Sequence, residues 1–496
     1  MSLFRKKDLS AMLAQAEDGG KGLKRTLGAG NLIALGVGAI IGAGLFVRTA
    51  AAAGQAAGPA VTISFIVAAI GCAFAGLCYA EFAAMIPISG SAYAYSYVTM
   101  GETVAWIIGW ALIMEYALGA ATVSIAWSEY LNKLLGGGIP YEWSHSPFES
   151  ITDTAGVVHH GIMNAPALVI LLLLTLLLIK GTQESAIVNA IIVFIKVAIV
   201  LLFIFIGWKF INPANHTPYM IPADQAPVVD ASGKVIADYS GVFKHGWGGV
   251  LGGAAIVFFA FIGFDAVSTA AQEAKNPKRD MPIGILGSLV VCTILYILFG
   301  HVLTGVANWK DFVDPLKGRE ASVAYAISTY MTGYGWLATA VTVAILAGFS
   351  SVILVMLMGQ SRVFFSMAND GLLPSVFSDL HPKYRTPYKS NWILFVFVGA
   401  FAAFVPGSVA GDLTSFGTLF AFVLVSAGVW ILRKKSPEME RPFKTPLVPL
   451  VPILGAVICL AMIFALDAQT LKVAFAWMAL GLVVYFVYSR KHSKLN

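Results

Sequence analysis

The chain has 496 residues, of which 58% are hydrophobic and only 12% charged, whereas a soluble globular domain carries about 25% charged residues. Mean hydropathy is +0.80, and several uninterrupted apolar runs approach the ~20 residues that cross hydrocarbon, so the class is an all-α polytopic membrane protein. No polar stretch is long enough to bury a second, soluble core. The net charge of +6 belongs to membrane topology rather than to an anionic partner, as its distribution shows.

Residues 1–29 form a basic tail with Arg5, Lys6, Lys7, Lys21, Lys24 and Arg25. A basic start before an apolar run resembles a signal peptide, and Ala50–Gly54 resembles a cleavage site. The run is too long for an h-region, however, and many spans follow. It reads as a retained first helix. The pattern predicts twelve spans, at 30–54, 60–86, 103–132, 164–180, 185–210, 247–272, 283–306, 334–366, 391–405, 412–432, 446–467 and 470–489. The last two are parted only by Asp467, Ala468 and Gln469. The longer loops are 133–163, 211–246 and 307–333, with a short surface helix expected at 320–331. Asn215-His-Thr217 matches a glycosylation acceptor, a triplet that chance often supplies.

Basic residues favour cytoplasmic segments. With the first end inside, cytoplasmic segments hold the basic tail, Lys180, the Lys275–Arg279 turn, Arg362, the Lys383–Lys389 loop, the Arg433–Lys444 run and the 490–496 tail. Outside segments hold fewer: Lys133, Lys209, Lys234, Lys244, Lys310, Lys317, Arg319 and Lys472. Both termini are therefore expected in the cytoplasm. Arg48 and Lys196 lie inside spans.

Two glycine-containing stretches interrupt the spans: Gly38-Ala-Ile-Ile-Gly-Ala-Gly44 in span 1 and Phe258-Phe-Ala-Phe-Ile-Gly-Phe-Asp265 in span 6. Glycine weakens a helix and opens its backbone. In hydrocarbon that is tolerable only where the freed backbone is buried in protein or lines a cavity. Breaks at the start of spans 1–5 and of spans 6–10 have the layout of a five-plus-five inverted repeat. The ten-helix inverted-repeat core is then 30–432, with halves 30–210 and 247–432, and spans 11 and 12 at 446–489 lie outside it.

A broken helix offers unpaired N–H groups for a carboxylate and free carbonyls for an ammonium. A zwitterionic amino acid needs both. Gly42, Ala43 and Gly44 let a ligand touch backbone; the bland alternative is close packing of helices through small residues. Phe258, Phe259, Phe261 and Phe264 surround the second break, and one of them can gate. Charges inside spans usually face a cavity or a partner. Lys196 lies mid-span and is a candidate proton carrier; its alternative is a structural cation on backbone carbonyls. Glu115, in span 3, either meets a cationic substrate, pairs with Lys196 or hydrogen-bonds within the bundle. Asp265 is placed to fix the unwound geometry, and Glu81 belongs to a gate or loop network near the inner end. His159, His160 and His301 read as structural or solvated, and the four cysteines as small core residues. Hydrolase, Walker and metal patterns are absent from the sequence, so no catalytic residue, metal or cofactor is expected.

Several stretches resemble a known superfamily: GAIIGAGLF at 38–46, AEFAAMIPISG at 80–90 followed by SAYAY, FIGFD at 261–265 followed by EAKNPKRDMP, and GQSR at 359–362 through AND at 368–370. They are similar to the amino acid–polyamine–organocation transporters, and among these to bacterial members of the cationic amino acid transporter family. The animal members carry fourteen spans rather than twelve. The resemblance implies that Gly42, Ala43 and Gly44 bind the substrate carboxylate. The carbonyls of Ile40, Phe259 and Ile262 would meet its amino group, and Ala260 would line the same binding site. Phe259 stands where relatives carry a gating aromatic. Ala347, Ser350 and Ser351 of span 8 resemble the span that helps form a sodium site in sodium-coupled relatives. Lys196 would project its ammonium there, replacing sodium and making coupling proton-dependent. Ala43 departs from the common Gly-Ser-Gly form and removes one hydroxyl donor. The sequence thus points to a proton-coupled importer of L-amino acids, small neutral ones and cationic ones. Its partners are substrate, proton and bilayer. A proton-independent exchanger and a transporter-like sensor are the alternatives.

Overall fold

The computed structural model describes residues 5–7, 27–42, 44–88, 90–152, 158–229, 235–314, 322–464, 466 and 468–495. The molecule is mostly helical. We number the principal helices α1 (Ala29–Ile40), α2 (Val61–Met85), α3 (Glu102–Leu134), α4 (Ala165–Lys180), α5 (Thr182–Gly207) and α6 (Gly246–Val257). Then come α7 (Pro277–Val306), α8 (Gly335–Asn369), α9 (Tyr388–Phe404), α10 (Gly407–Lys435), α11 (Leu450–Phe464) and α12 (Ala468–Val484). Among the described residues, eight helical stretches are long and apolar enough to cross a membrane, and four shorter apolar helices fall on predicted spans 1, 4, 9 and 11.

The outward surface confirms the solvent. Phe194 and Phe205 of α5 are 77% and 70% exposed, while Lys196 between them is 0% exposed. The helix turns its apolar face out and its cation in, the reverse of a soluble helix.

Sequence reading left some local structure out. Two small antiparallel hairpins, β1 (Ser150–Thr152) with β2 (Val158–His160) and β3 (Val228–Val229) with β4 (Val235–Ala237), sit in the long loops of an otherwise all-α chain. A short helix, Ser91–Thr99, follows α2. The helix expected at 320–331 is present as Ser322–Tyr330, but Val323, Ala326 and Ile327 are fully buried, so it packs rather than floats. Asn215 spends its amide on the Gly305 carbonyl at 2.8 Å, tying the 211–246 loop to α7. All four cysteines are buried and free.

Glu81, near the end of α2, is 1% exposed. Arg433 of α10 grips both its oxygens at 2.9 and 2.8 Å, Thr445 N–H donates at 2.7 Å, and Arg441 approaches at 3.3 Å. This is the loop network expected of Glu81. Removing one partner of a buried ion pair costs about 3–5 kcal/mol because the other charge is stranded. Glu81→Ala, which strands two arginines, is expected to lower the melting temperature of the detergent-solubilised protein by more than Arg433→Ala does. Equal shifts would contradict the shared-anion arrangement.

Candidate functional site

Both glycine stretches leave the helical conformation. After α1, Ile41 is extended (φ −74°, ψ 103°), Gly42 bends, and the chain resumes at Gly44 in a wide π-type turn running to Arg48. Ala43 lies outside the described residues. After α6, a 3₁₀ turn covers Phe258–Phe261, Ile262 is extended (φ −59°, ψ 134°), and Gly263 adopts φ +114°. Only glycine adopts that φ without strain. The chain then continues in 3₁₀ turns over Asp265–Glu273.

The two breaks interlock through their missing side chains. A Cβ on Gly44 would stand 2.2 Å from Ala260 Cα and 2.8 Å from Ala260 N. One on Gly263 would stand 3.0 Å from the Ala39 carbonyl. Each break therefore rests on the backbone of the other. Tyr296 of α7 ties them further: its hydroxyl lies 2.9 Å from the Ile40 carbonyl and 2.8 Å from the Ala260 carbonyl. A hydroxyl carries one hydrogen, so the two carbonyls share it. Upstream, Lys275 N–H donates to the Leu27 carbonyl at 2.8 Å, joining the entry to α1 with the exit of the second break. Tyr296→Phe removes a bond worth about 0.5–1.5 kcal/mol and leaves both carbonyls short of a donor. We expect uptake to fall several-fold with a melting temperature lowered by only a few degrees. Wild-type uptake would argue against the tie.

Backbone groups at the break are partly engaged. Gly42 O accepts from Leu45 and Phe46 N–H at 3.1 and 3.4 Å, and Phe259 O accepts from Ile262 N–H at 3.3 Å. The Arg48 guanidinium lies over the Phe259 ring, 5.2 Å from its centroid. The charge pattern marked Arg48 as intramembrane but gave no hint of this partner.

Lys196 reaches the first break. Its Nζ donates to the carbonyls of Gly38 at 2.5 Å and Ile41 at 2.8 Å. Gly38 belongs to the last turn of α1 and Ile41 is its C-terminal cap, where carbonyls lack donors within the helix. The lysine stem passes over Gly348 of α8, where an added Cβ would stand 3.4 Å from Lys196 Cδ. Ser351 Oγ lies 3.4 Å from the same Gly38 carbonyl and bonds Asn189 Oδ1 of α5. Ser350 turns away, donating to Leu346 in its own helix at 2.9 Å.

Glu115 does not pair with Lys196. It sits in a π-type turn, Ile113–Leu118, within α3 and is fully buried. Its polar neighbours are Asp265 and Thr418, and neither carboxylate oxygen has a well-formed hydrogen bond among the described residues. Asp265 in turn accepts from Tyr116 Oη at 2.6 Å, which pins the start of the turn after the second break to α3. Of the alternatives for Glu115, the structure speaks only against pairing with Lys196, whose ammonium is spent on Gly38 and Ile41. No group of three or more His, Cys, Asp or Glu suited to a metal occurs among the described residues. The His301 ring lies tilted against His216 and Trp208, and His159 bonds Glu142 at 3.1 Å.

Comparison with known proteins adds an independent line. A family model described as amino acid permease matches residues 27–488. A branched-chain amino acid permease of Bacillus subtilis (strain 168) is 44% identical over 498 residues, covering 100% of this chain and 99% of the relative. A methylthioribose transporter of the same organism is 41% identical, with coverage of 100% and 99%. A vacuolar cationic amino acid transporter of Arabidopsis thaliana is 33% identical over 88% of this chain and 68% of the relative.

Proposed function

Because the chain belongs to the amino acid permease family, we propose that it imports L-amino acids across the cell membrane by proton-coupled alternating access. The reading includes twelve crossings, inverted halves at 30–210 and 247–432, helices 11 and 12 outside them, and cytoplasmic termini. Arg5 Nη1 donates to the Leu495 carbonyl at 2.7 Å. The two described ends thus lie side by side, which supports an even number of crossings.

The observation that carries the proposal is the seat of Lys196 on the Gly38 and Ile41 carbonyls. A charge-assisted bond is roughly twice as strong as a neutral one. The protonated lysine holds the inner half of span 1 against α5 and α8. Loss of its proton to water loosens that grip and lets the half-helix move. Substrate carboxylate is read by backbone N–H groups at Gly42, Ala43 and Gly44, and its ammonium by the carbonyls of Ile40, Phe259, Ala260 and Ile262. Phe259, backed by Arg48, closes over it.

The walls near the breaks are apolar, and Glu115 faces Asp265 rather than standing free as a counter-ion. Neutral side chains from alanine to leucine therefore fit best, with cationic ones admitted more weakly. The name of the 44% relative agrees with this; that of the 41% relative makes methylthioribose a necessary competitor.

The test is uptake of labelled L-leucine and L-alanine into proteoliposomes, acid outside, with L-arginine, L-lysine and methylthioribose as competitors. Accumulation that a protonophore abolishes supports the proposal. Counterflow without gradient-driven accumulation would make the protein an exchanger and sink proton coupling.

A further inference from the structure

Asn189 has no counterpart in the sequence expectations, yet it stands at the centre of the Lys196 site. It lies two helical turns before Lys196 on α5, on the same inward face, and is 5% exposed. A Cβ built on Gly38 would meet Asn189 Nδ2 at 3.0 Å and Oδ1 at 3.3 Å. Asn189 therefore packs directly on the residue whose carbonyl Lys196 holds. Its Oδ1 also accepts the Ser351 hydroxyl, whose oxygen lies 3.4 Å from the Gly38 carbonyl.

The geometry sets up a competition. Gly38 O has one close donor, the Lys196 ammonium at 2.5 Å, and one waiting donor, Ser351. Ser351 carries a single hydrogen. While Asn189 takes that hydrogen, Ser351 cannot also satisfy Gly38.

We propose that Asn189 is a positioning residue for proton coupling: it restrains the Ser351 hydroxyl, so that Ser351 takes over the Gly38 carbonyl only when the Lys196 ammonium withdraws. The handover keeps the Gly38 carbonyl satisfied in both states, which a buried carbonyl in an apolar medium requires. No covalent bond changes within the clip; the proton leaving Lys196 passes to water. The titratable group facing Lys196 is Cys292 of α7. The facing part of α1 carries no charged residue, and α8 presents Gly348 and Ser351 there, with Arg362 well beyond. The inference rests on the proton-coupling reading above.

The test is the pH profile of L-leucine uptake in proteoliposomes. Asn189→Ala frees Ser351 to compete for Gly38 and weakens the hold on the ammonium. The midpoint is expected to move toward acid by about 0.5 to 1 pH unit, the scale of one neutral hydrogen bond. In a Ser351→Ala background the same substitution is expected to move nothing further, because Asn189 acts through that hydroxyl. An unmoved midpoint, or an equal shift in both backgrounds, overturns the proposal; the latter is what mere packing against Gly38 gives. If Asn189→Ala is not recovered from membranes, Ser351→Thr and Ser351→Ala decide. Thr should keep the wild-type midpoint and Ala should not, and identical midpoints overturn the clip. Should Lys196→Ala retain full accumulation, the coupling reading itself fails. Should it lose accumulation while Asn189→Ala leaves the profile unmoved, only the present inference fails.

Discussion

Lys196→Ala is expected to abolish gradient-driven accumulation of L-leucine, a drop of at least about tenfold, while counterflow between loaded vesicles stays within a few-fold of wild type. The size follows from what is lost. Two hydrogen bonds from a charged donor, at 2.5 and 2.8 Å, contribute about 1.5–3 kcal/mol each, and every ~1.4 kcal/mol is a factor of ten in an equilibrium. Alanine leaves the Gly38 and Ile41 carbonyls without that donor and removes the buried charge that α5 brings to the break. Counterflow needs substrate to bind and the helices to rock; with the lysine gone the half-helix is no longer held, so it rocks without a proton having to leave. The measurement is paired uptake, with and without an imposed pH gradient, on one reconstituted batch. Undiminished accumulation would refute the role given to Lys196.

Gly44→Ala is expected to have the second large effect: uptake and counterflow lost together. The added methyl would lie 2.2 Å from Ala260 Cα, 2.7 Å from Ala260 Cβ and 2.8 Å from Ala260 N. These are mostly backbone atoms of the second break and cannot swing aside as a flexible side chain can. Overpacking of this kind typically costs about 1–3 kcal/mol, occasionally more, and here the relaxation must push apart the two segments that form the site. Gly28→Ala and Gly30→Ala are the controls, since no heavy atom lies within 4 Å of a Cβ built at either. Thermal shift of the detergent-solubilised protein on adding L-leucine should vanish for Gly44→Ala and persist in the controls. A retained shift would mean the breaks need not touch for substrate to bind.

How much of this was legible beforehand varies by residue. Lys196 declared itself because a charge in the middle of an apolar run is costly and so needs a reason. The breaks declared themselves because glycines and aromatics crowd two places where a plain helix would carry leucine. Glu115 was visible as a charge but not as a neighbour of Asp265, since the two stand 150 positions apart in the sequence. Asn189 and Tyr296 carried no signal at all. A neutral amide and a phenol are ordinary in membrane helices, and only their distances to Gly38, Ile40 and Ala260 set them apart. Ser350 and Ser351 were indistinguishable as neighbours in one helix. Helical geometry turns adjacent side chains about 100° apart, and the structure sends one hydroxyl to its own helix and the other to Asn189. The hairpins in the long loops escaped because two or three residues of strand give too short a pattern to read.

By itself the sequence determined that this is a helical membrane protein, roughly where its helices run, and which two of them open. Those properties follow from local composition, because hydrocarbon penalises every polar group that a segment cannot satisfy on its own. Only the tertiary structure decided which groups satisfy the opened backbone: Lys196 on Gly38 and Ile41, Tyr296 between Ile40 and Ala260, and Gly44 and Gly263 seated on the opposite break. The reason is that an orphan carbonyl specifies only that a donor must come. Which donor arrives depends on how distant helices pack, and no local pattern encodes that.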